Sequence, residues 1–242
     1  IRIYKSDINK SINKYLIKDY NLLLPLSIIK NVGTVAADGI IKEREENGEY
    51  KDFFDFVART YGKCINRRTL EYLIDASVFK AFQENHATLK ANIDSAINYA
   101  ELRENLYESL IMKPTMEYKD EEDESILISK ELESYGFYVS NHPASKYSGN
   151  NIVKIENAPK FFDKYIKTIV IINSIYKIKT KNGEEMAFVE AADETGSMTY
   201  VIFPKRKQLL LMLEKNKLYE ITGQVTRRMD KYQIVITNVV NI

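Results

Sequence analysis

The stretch "KTKNGEEMAFVEAADETGSMTYVIFP", residues 179–204, marks a change of period in the chain. Apolar and polar residues alternate through it, as a half-buried strand requires. Asn182-Gly183 sits at the centre of a predicted hairpin turn, with "YIKTIVIINSIYKIKT" (165–180) before it and "MAFVEAAD" (186–193) after it. "ETG" (194–196) is a second turn and "SMTYVIFP" (197–204) a third strand.

Toward the C-terminus, "KRKQLLLMLEKN" (205–216) has helical spacing, and "KLYEITGQVTRR" (217–228) and "YQIVITNVVNI" (232–242) are two more strands. Three strands, a helix and two strands is the order of the five-stranded oligonucleotide/oligosaccharide-binding (OB) barrel. The expected architecture is therefore a helical half followed by an OB-fold β-barrel.

Toward the N-terminus the spacing is helical. Residues 1–4 and 22–24 read as short strands, and from Leu26 to Ala58 apolar residues such as Ile28, Val32, Ala36 and Ile40 recur at three- and four-residue steps. Gly33 and Gly48 punctuate that pattern. "KDFFDFVART" (51–60) predicts a helix capped by Asp52, and "INRRTLEYLIDASVFKAF" (65–82) a second apolar stripe through Leu70, Leu73, Ile74 and Phe79. Residues 84–110 read as one long helix stopped before Pro114. The acidic run 117–124 reads as a solvated linker, 124–137 as a helix and 138–151 as a connector. The expected divisions are 1–24, 25–112, 113–164 and 165–242.

Apolar residues make up 45% and charged residues 29%, the balance of a globular chain. No stretch approaches the apolar length of a membrane span, and "IRIYKSDINK" lacks the parts of a signal peptide. One cysteine, Cys64, allows no internal disulfide, which fits a cytoplasmic protein. A formal charge of +1 excludes a global basic signature, so any nucleic-acid surface must be local. The chain opens on Ile1 directly into a strand, as a piece of a longer protein would.

Catalytic chemistry finds little support. His86 and His142 lie beside no nucleophile pattern, no Cys/His metal spacing exists, and the consecutive carboxylates of 116–125 should fan apart. Phosphate-binding and dinucleotide fingerprints are absent, so neither a catalytic nor a metal site is expected.

Binding finds more. "KNVGTVAADGIIKER" (30–44) suits a helix-hairpin-helix, whose second helix would aim backbone N–H groups and a positive dipole end at a phosphate. Gly33, Ala36 and Ala37 would permit close approach, and Lys30, Lys42 and Arg44 would add salt-dependent attraction. The other reading is a helical hairpin that only packs. In the barrel, Tyr176, Lys177, Lys179 and Lys181 precede the first hairpin, and Arg227, Arg228, Lys231 and Tyr232 flank the last. With Phe188 and Tyr200 as stacking platforms they suit single-stranded nucleic acid. Alternatively the aromatics face the core and the lysines only solubilise.

Together these segments resemble the C-terminal region of the bacterial DNA polymerase III alpha subunit of the DnaE type. "YKSDINKS" (4–11) is similar to the close of that family's fingers region, and "LPLSIIKNVGTVAADGIIKER" (24–44) and "NRRTLEYLIDASVF" (66–79) to its tandem helix-hairpin-helix. "ELESYGFYVSNHP" (131–143) resembles its leucine-glycine-phenylalanine-tyrosine…glycine-histidine-proline element, and 179–204 its OB domain. Asn31 stands where the first hairpin usually has glycine, and Ser77 and Val78 replace the glycine of the second, which makes the second hairpin structural.

The resemblance implies a parent DNA-directed DNA polymerase using Mg²⁺ held by carboxylates outside this chain, with no cofactor in the chain itself. It implies duplex contacts at Gly33, Thr34 and Lys30, and single-strand contacts in the barrel. It also implies replisome partners, among them a sliding clamp taking a short internal peptide. "RENLY" (103–107) lies at the matching distance, with Leu106 and Tyr107 as the apolar pair and Arg103 replacing a glutamine. Leu106 and Tyr107 equally continue a packing stripe with Leu102 and Leu110. Two further readings remain: a standalone nucleic-acid-binding module, and a scaffold for protein partners.

Overall fold

The computed structural model describes residues 2–105, 111–147, 149, 151–180 and 182–242. Its contacts gather the chain into two compact units, residues 1–140 and 141–242.

The first unit opens with a small sheet of β1 (Arg2–Tyr4), β2 (Leu16–Lys18) and β3 (Asn21–Leu23), in the order β1-β3-β2. Strand β2 was not foreseen; all three of its residues are exposed, and it is defined by its pairing with β3 across a turn in which Asp19 and Tyr20 both take positive φ. Among the described residues six α-helices follow: α1 (Thr34–Asn47), α2 (Phe53–Thr60), α3 (Arg67–Asp75), α4 (His86–Ala91), α5 (Ile93–Asn105) and α6 (Glu124–Tyr135). Asp52 caps α2 by accepting from the Asp55 N–H at 3.0 Å, as the sequence predicts, and Asn66 caps α3 through Thr69 at 2.9 Å.

These helices bury one aromatic centre. Phe79 meets Phe53 and Phe56 edge to face, with centroids 5.5 and 5.0 Å away, and Tyr50 packs on Phe56 at 4.9 Å. Gly39 lets α1 lie against Cys64: a Cβ there would overlap the Cys64 Cβ and come 3.1 Å from its Sγ. Burial pushes the Cys64 thiol up to about 11, so it packs as an inert small hydrophobe.

Two expectations change here. The long helix over 84–110 is broken at Asn92, where α4 ends and α5 begins. The Asn92 amide nitrogen donates to the Thr88 and Glu117 carbonyls at 2.8 Å each, and its oxygen accepts from the Glu117 N–H at 2.9 Å. The acidic run is held by the same means. Lys119 N–H donates to the Thr88 hydroxyl at 3.0 Å, and Glu121 accepts the His86 and Ala87 N–H groups at the start of α4. It therefore lies along α4 instead of hanging in solvent.

In the second unit five strands close a barrel: β4 (Tyr165–Lys179), β5 (Glu185–Asp193), β6 (Gly196–Ile202), β7 (Leu218–Arg228) and β8 (Lys231–Asn241), in the order β4-β5-β6-β8-β7. The first hairpin closes between Thr180 and Glu184 with Gly183 at φ +77°, the conformation glycine supplies without strain. Between β6 and β7 the expected helix is a run of 3₁₀ turns, Pro204–Met212, with Arg206 outside helical geometry. Its Leu209 and Leu210, with Leu213, are buried in the barrel core.

Candidate nucleic-acid interface

The first hairpin turns on Asn31, at φ +60°, while Gly33 has ordinary extended backbone at φ −66°. The left-handed residue is thus Asn31, a residue type that tolerates that region. Three contacts fix the turn: Lys30 N–H to the Ser134 carbonyl at 2.8 Å, the Thr69 hydroxyl to the Asn31 carbonyl at 3.2 Å, and Val32, which is 1% exposed, in the core.

Gly33 then serves as N-cap of α1 with no side-chain cap, and the first turn holds no acidic residue. Among the described residues the N–H groups of Thr34, Val35 and Ala36 find no acceptor. A Cβ at Gly33 would meet nothing within 4 Å, so the space before the helix is open. Uncapped donors at a positive dipole end in open space form an anion-accepting geometry.

The predicted cations around it divide. Lys30 is exposed, 5.4 Å from the Tyr72 ring centroid and 3.4 Å from Glu133. Lys42 is exposed, with Glu46 3.7 Å away. Arg44 turns inward instead: its guanidinium donates to the Ile8 and Ser11 carbonyls at 2.8 and 3.0 Å. Its donors are consumed in binding the N-terminal segment to α1, which removes it from the candidate phosphate contacts.

In the barrel, Tyr176 pairs with Phe188 across β4 and β5, so both lie on one face. The β7–β8 hairpin turns on Met229 and Asp230, both at positive φ, and pairs Arg228 with Lys231. The Arg228 guanidinium lies 5.6 Å from the Phe188 ring, and Arg227 lies 5.8 Å from Tyr232 while bonding Asp230 at 2.8 Å. Hairpin cations and strand aromatics therefore meet, as the order of elements predicts.

Other predicted residues do not join them. The pleat turns Lys177 and Lys179 to the face opposite Tyr176. Tyr200 is fully buried, its hydroxyl 2.9 Å from that of Thr168, and cannot stack on a base. Burial pushes its phenol well up, so it stays neutral as a core residue. Lys181, Leu106 and Tyr107 lie outside the described residues, and Arg103 stands over the Tyr99 ring at 5.8 Å.

One exposed aromatic beside the last hairpin was missed. Phe162 is half exposed and meets Tyr232 edge-on at 6.4 Å. The aromatic pair in "KFFDKY" ahead of the first strand was a signal for it. Glu190 shares the Tyr176 face and is tied to the Thr199 hydroxyl at 2.7 Å, which tempers the positive potential there.

Neither histidine is where polar surroundings suggest. His86 is buried, with ring nitrogens 2.8 Å from Asp75 and 2.9 Å from Glu122. Burial raises the Asp75 carboxyl, but His86 and Lys90 together hold it below the usual carboxylate range. Contrary to the fanning expected, His86, Glu121 and Glu122 lie close enough to share an ion. Glu121 already accepts backbone N–H groups and Glu122 holds Lys130, a donor set that fits an ion-pair lattice and does not fit Mg²⁺. His142 caps a 3₁₀ turn, Pro143–Lys146, with Nδ1 accepting from the Ala144 N–H at 3.1 Å, and burial lowers its basicity.

These two features define a class: a helix-hairpin-helix region joined to an OB-fold nucleic-acid-binding domain. Residues 1–89 match the family described as "Helix-hairpin-helix motif", and residues 167–242 that described as "OB-fold nucleic acid binding domain". Over its whole length the chain matches the helix-hairpin-helix plus OB region of DNA polymerase III alpha subunits. It is 34% identical to the Bacillus subtilis subunit over 98% of this chain and 22% of that protein. It is 33% identical to the Borreliella burgdorferi subunit over 100% of this chain and 23% of that protein. The chain thus spans less than a quarter of the length of these relatives. Among solved structures, the second OB-fold domain of replication protein A from Methanococcus maripaludis aligns with 38% of this chain and 94% of its own, at 17% identity and a TM-score of 0.31. Among the described residues no helix is long and apolar enough to cross a membrane.

Proposed function

We propose that this chain is the DNA-handling region of a cytoplasmic replicative DNA-directed DNA polymerase. Nucleotide transfer and its Mg²⁺ belong to other parts of such a protein; these residues position DNA. The first turn of α1, with Lys30, takes phosphates of the duplex, and the barrel takes the single-stranded template. The observation that carries this reading is the grouping of Arg228, over the Phe188 ring, with Phe188 and its cross-strand neighbour Tyr176, a cation and two rings on one face of an OB barrel. Residues 103–107 are the proposed clamp-binding peptide, tested by replacing Leu106 and Tyr107 with Ala and measuring clamp affinity.

Anisotropy titrations against single-stranded and duplex DNA at rising salt test the two DNA contacts separately. Tyr176→Ala with Phe188→Ala should weaken single-strand binding about tenfold and leave duplex binding in place. Thr34→Pro is the duplex arm. Proline is tolerated at the first helical position and Gly33 already has the extended backbone a following proline needs, so only one N–H is lost. Duplex affinity should fall several-fold with the single-strand value unchanged. Absence of binding to either DNA at about 50 mM salt would leave the protein-scaffold reading instead.

A further inference from the structure

The small sheet of the first unit is exposed in a way that neither the hairpin nor the barrel uses. Its register aligns Arg2, Asn21 and Lys18 in one row across the three strands, with Tyr4, Leu23 and Leu16 in the next row of the same face. Strand spacing sets the two cations of the first row about 10 Å apart. This face borders a groove of about 1210 Å³ with Leu23 and Phe79 among its apolar lining, and with Lys18 and Lys80 as well as Asp7, Glu84 and Glu121 among its charged lining. Around it Tyr15 is 54% and Tyr20 85% exposed.

The segment leading into β2 is tied to the start of α1. The Asn13 amide donates to the Thr34 carbonyl at 3.4 Å and to Asp38, so Lys14 and Tyr15 emerge beside the first turn of that helix. Among the described residues Lys14 and Lys18 have no acidic partner, and residues 12–23 contain a single acid, Asp19. Unpaired cations and exposed tyrosines beside an apolar groove suit a chain of phosphates carrying flat apolar rings. An aliphatic protein segment would bury those cations without compensation.

We propose that the β1–β3 sheet and its groove form a second single-stranded nucleic-acid surface, with Lys14 and Lys18 on phosphates and Tyr15 and Tyr20 stacking on bases. This goes beyond the contacts at α1 and on the barrel and stands or falls apart from them.

The test is photo-crosslinking of the full chain to an oligothymidylate containing 4-thiothymidine, followed by peptide mapping. Adducts should fall within residues 12–23 as well as within the barrel. Lys14→Ala with Lys18→Ala should abolish the first group, spare the second, and lower the slope of log affinity against log salt by about 1.4. Adducts confined to the barrel, or an adduct yield in 12–23 unchanged in the double variant, overturn the proposal. Adducts confined to 12–23 overturn the barrel contact instead and leave this one standing.

Discussion

Glu131 is 1% exposed and still ionised, because the chain surrounds its carboxylate with donors. The N–H groups of Val139 and Ser140 donate to one oxygen at 2.6 and 2.7 Å, and the Ser140 hydroxyl and Lys5 to the other at 2.6 and 2.7 Å. Burial alone would raise this carboxyl; Lys5 and Ser140 overcome it and hold it below the usual carboxylate range. A carboxyl whose folded-state value is depressed adds stability that is present above the unfolded value, about 4.3, and is lost as pH falls through the folded value. Glu131→Gln keeps the shape and removes the charge. Urea unfolding should show the variant about 2 kcal/mol less stable from neutral pH down to about 5, with the gap closing below about 4. A gap that stays constant into the acid range would mean that the charge is not what Glu131 contributes. The same residue pins α6 to the segment just before the second unit and, through Lys5, to the end of β1.

At the scale of elements, the break between α4 and α5 illustrates what helical spacing conceals. Apolar periodicity runs unbroken through residues 86–105, yet Asn92 spends its side chain on the backbone of Glu117, 25 positions away. A tertiary partner at that separation leaves no mark in the local pattern. Asn92→Leu removes these bonds and should let the helix run on while freeing the acidic segment. Hydrogen exchange at the Glu117 and Lys119 amides should then rise by at least tenfold, with the α2 amides unaffected; unchanged protection at both would show that Glu121 and the Thr88 hydroxyl suffice to hold the segment. Elements governed by local chemistry were legible: the Asp52 cap, the turn at Gly183 and the strand order around the barrel. Those governed by packing were not. Strand β6 buries Tyr200, Val201 and Ile202 in succession, so both of its faces are covered at that end. Alternation cannot assign Tyr200 a face in such a strand, and Arg44 likewise gives no local sign that its donors are claimed by Ile8 and Ser11.

At the scale of the molecule, each unit has its own core and its own glycine at which a Cβ would collide with a neighbour. In the first, α1 meets Cys64 at Gly39; in the second, β7 meets β8 at Gly223, where the register shifts after Thr222. A Cβ at Gly223 would come 2.5 Å from the Val235 carbonyl oxygen, a backbone atom that cannot rotate away. In a helix interior alanine would otherwise improve on glycine by about 0.5–1 kcal/mol, so a loss on Gly39→Ala would isolate the overlap with Cys64. Each substitution should cost about 1–3 kcal/mol, which for units of this size is a fall of several degrees in Tm. Two cores that each enclose a complete set of elements should melt as separate transitions in calorimetry of the whole chain. Gly39→Ala should then lower one transition and Gly223→Ala the other, while Cys64→Gly in the Gly39→Ala background should return most of the first loss. If both substitutions lower a single shared transition by the same amount, the units unfold as one. The DNA contacts proposed for the hairpin and the barrel would then have to be treated as energetically coupled, not as two independent grips on the same DNA.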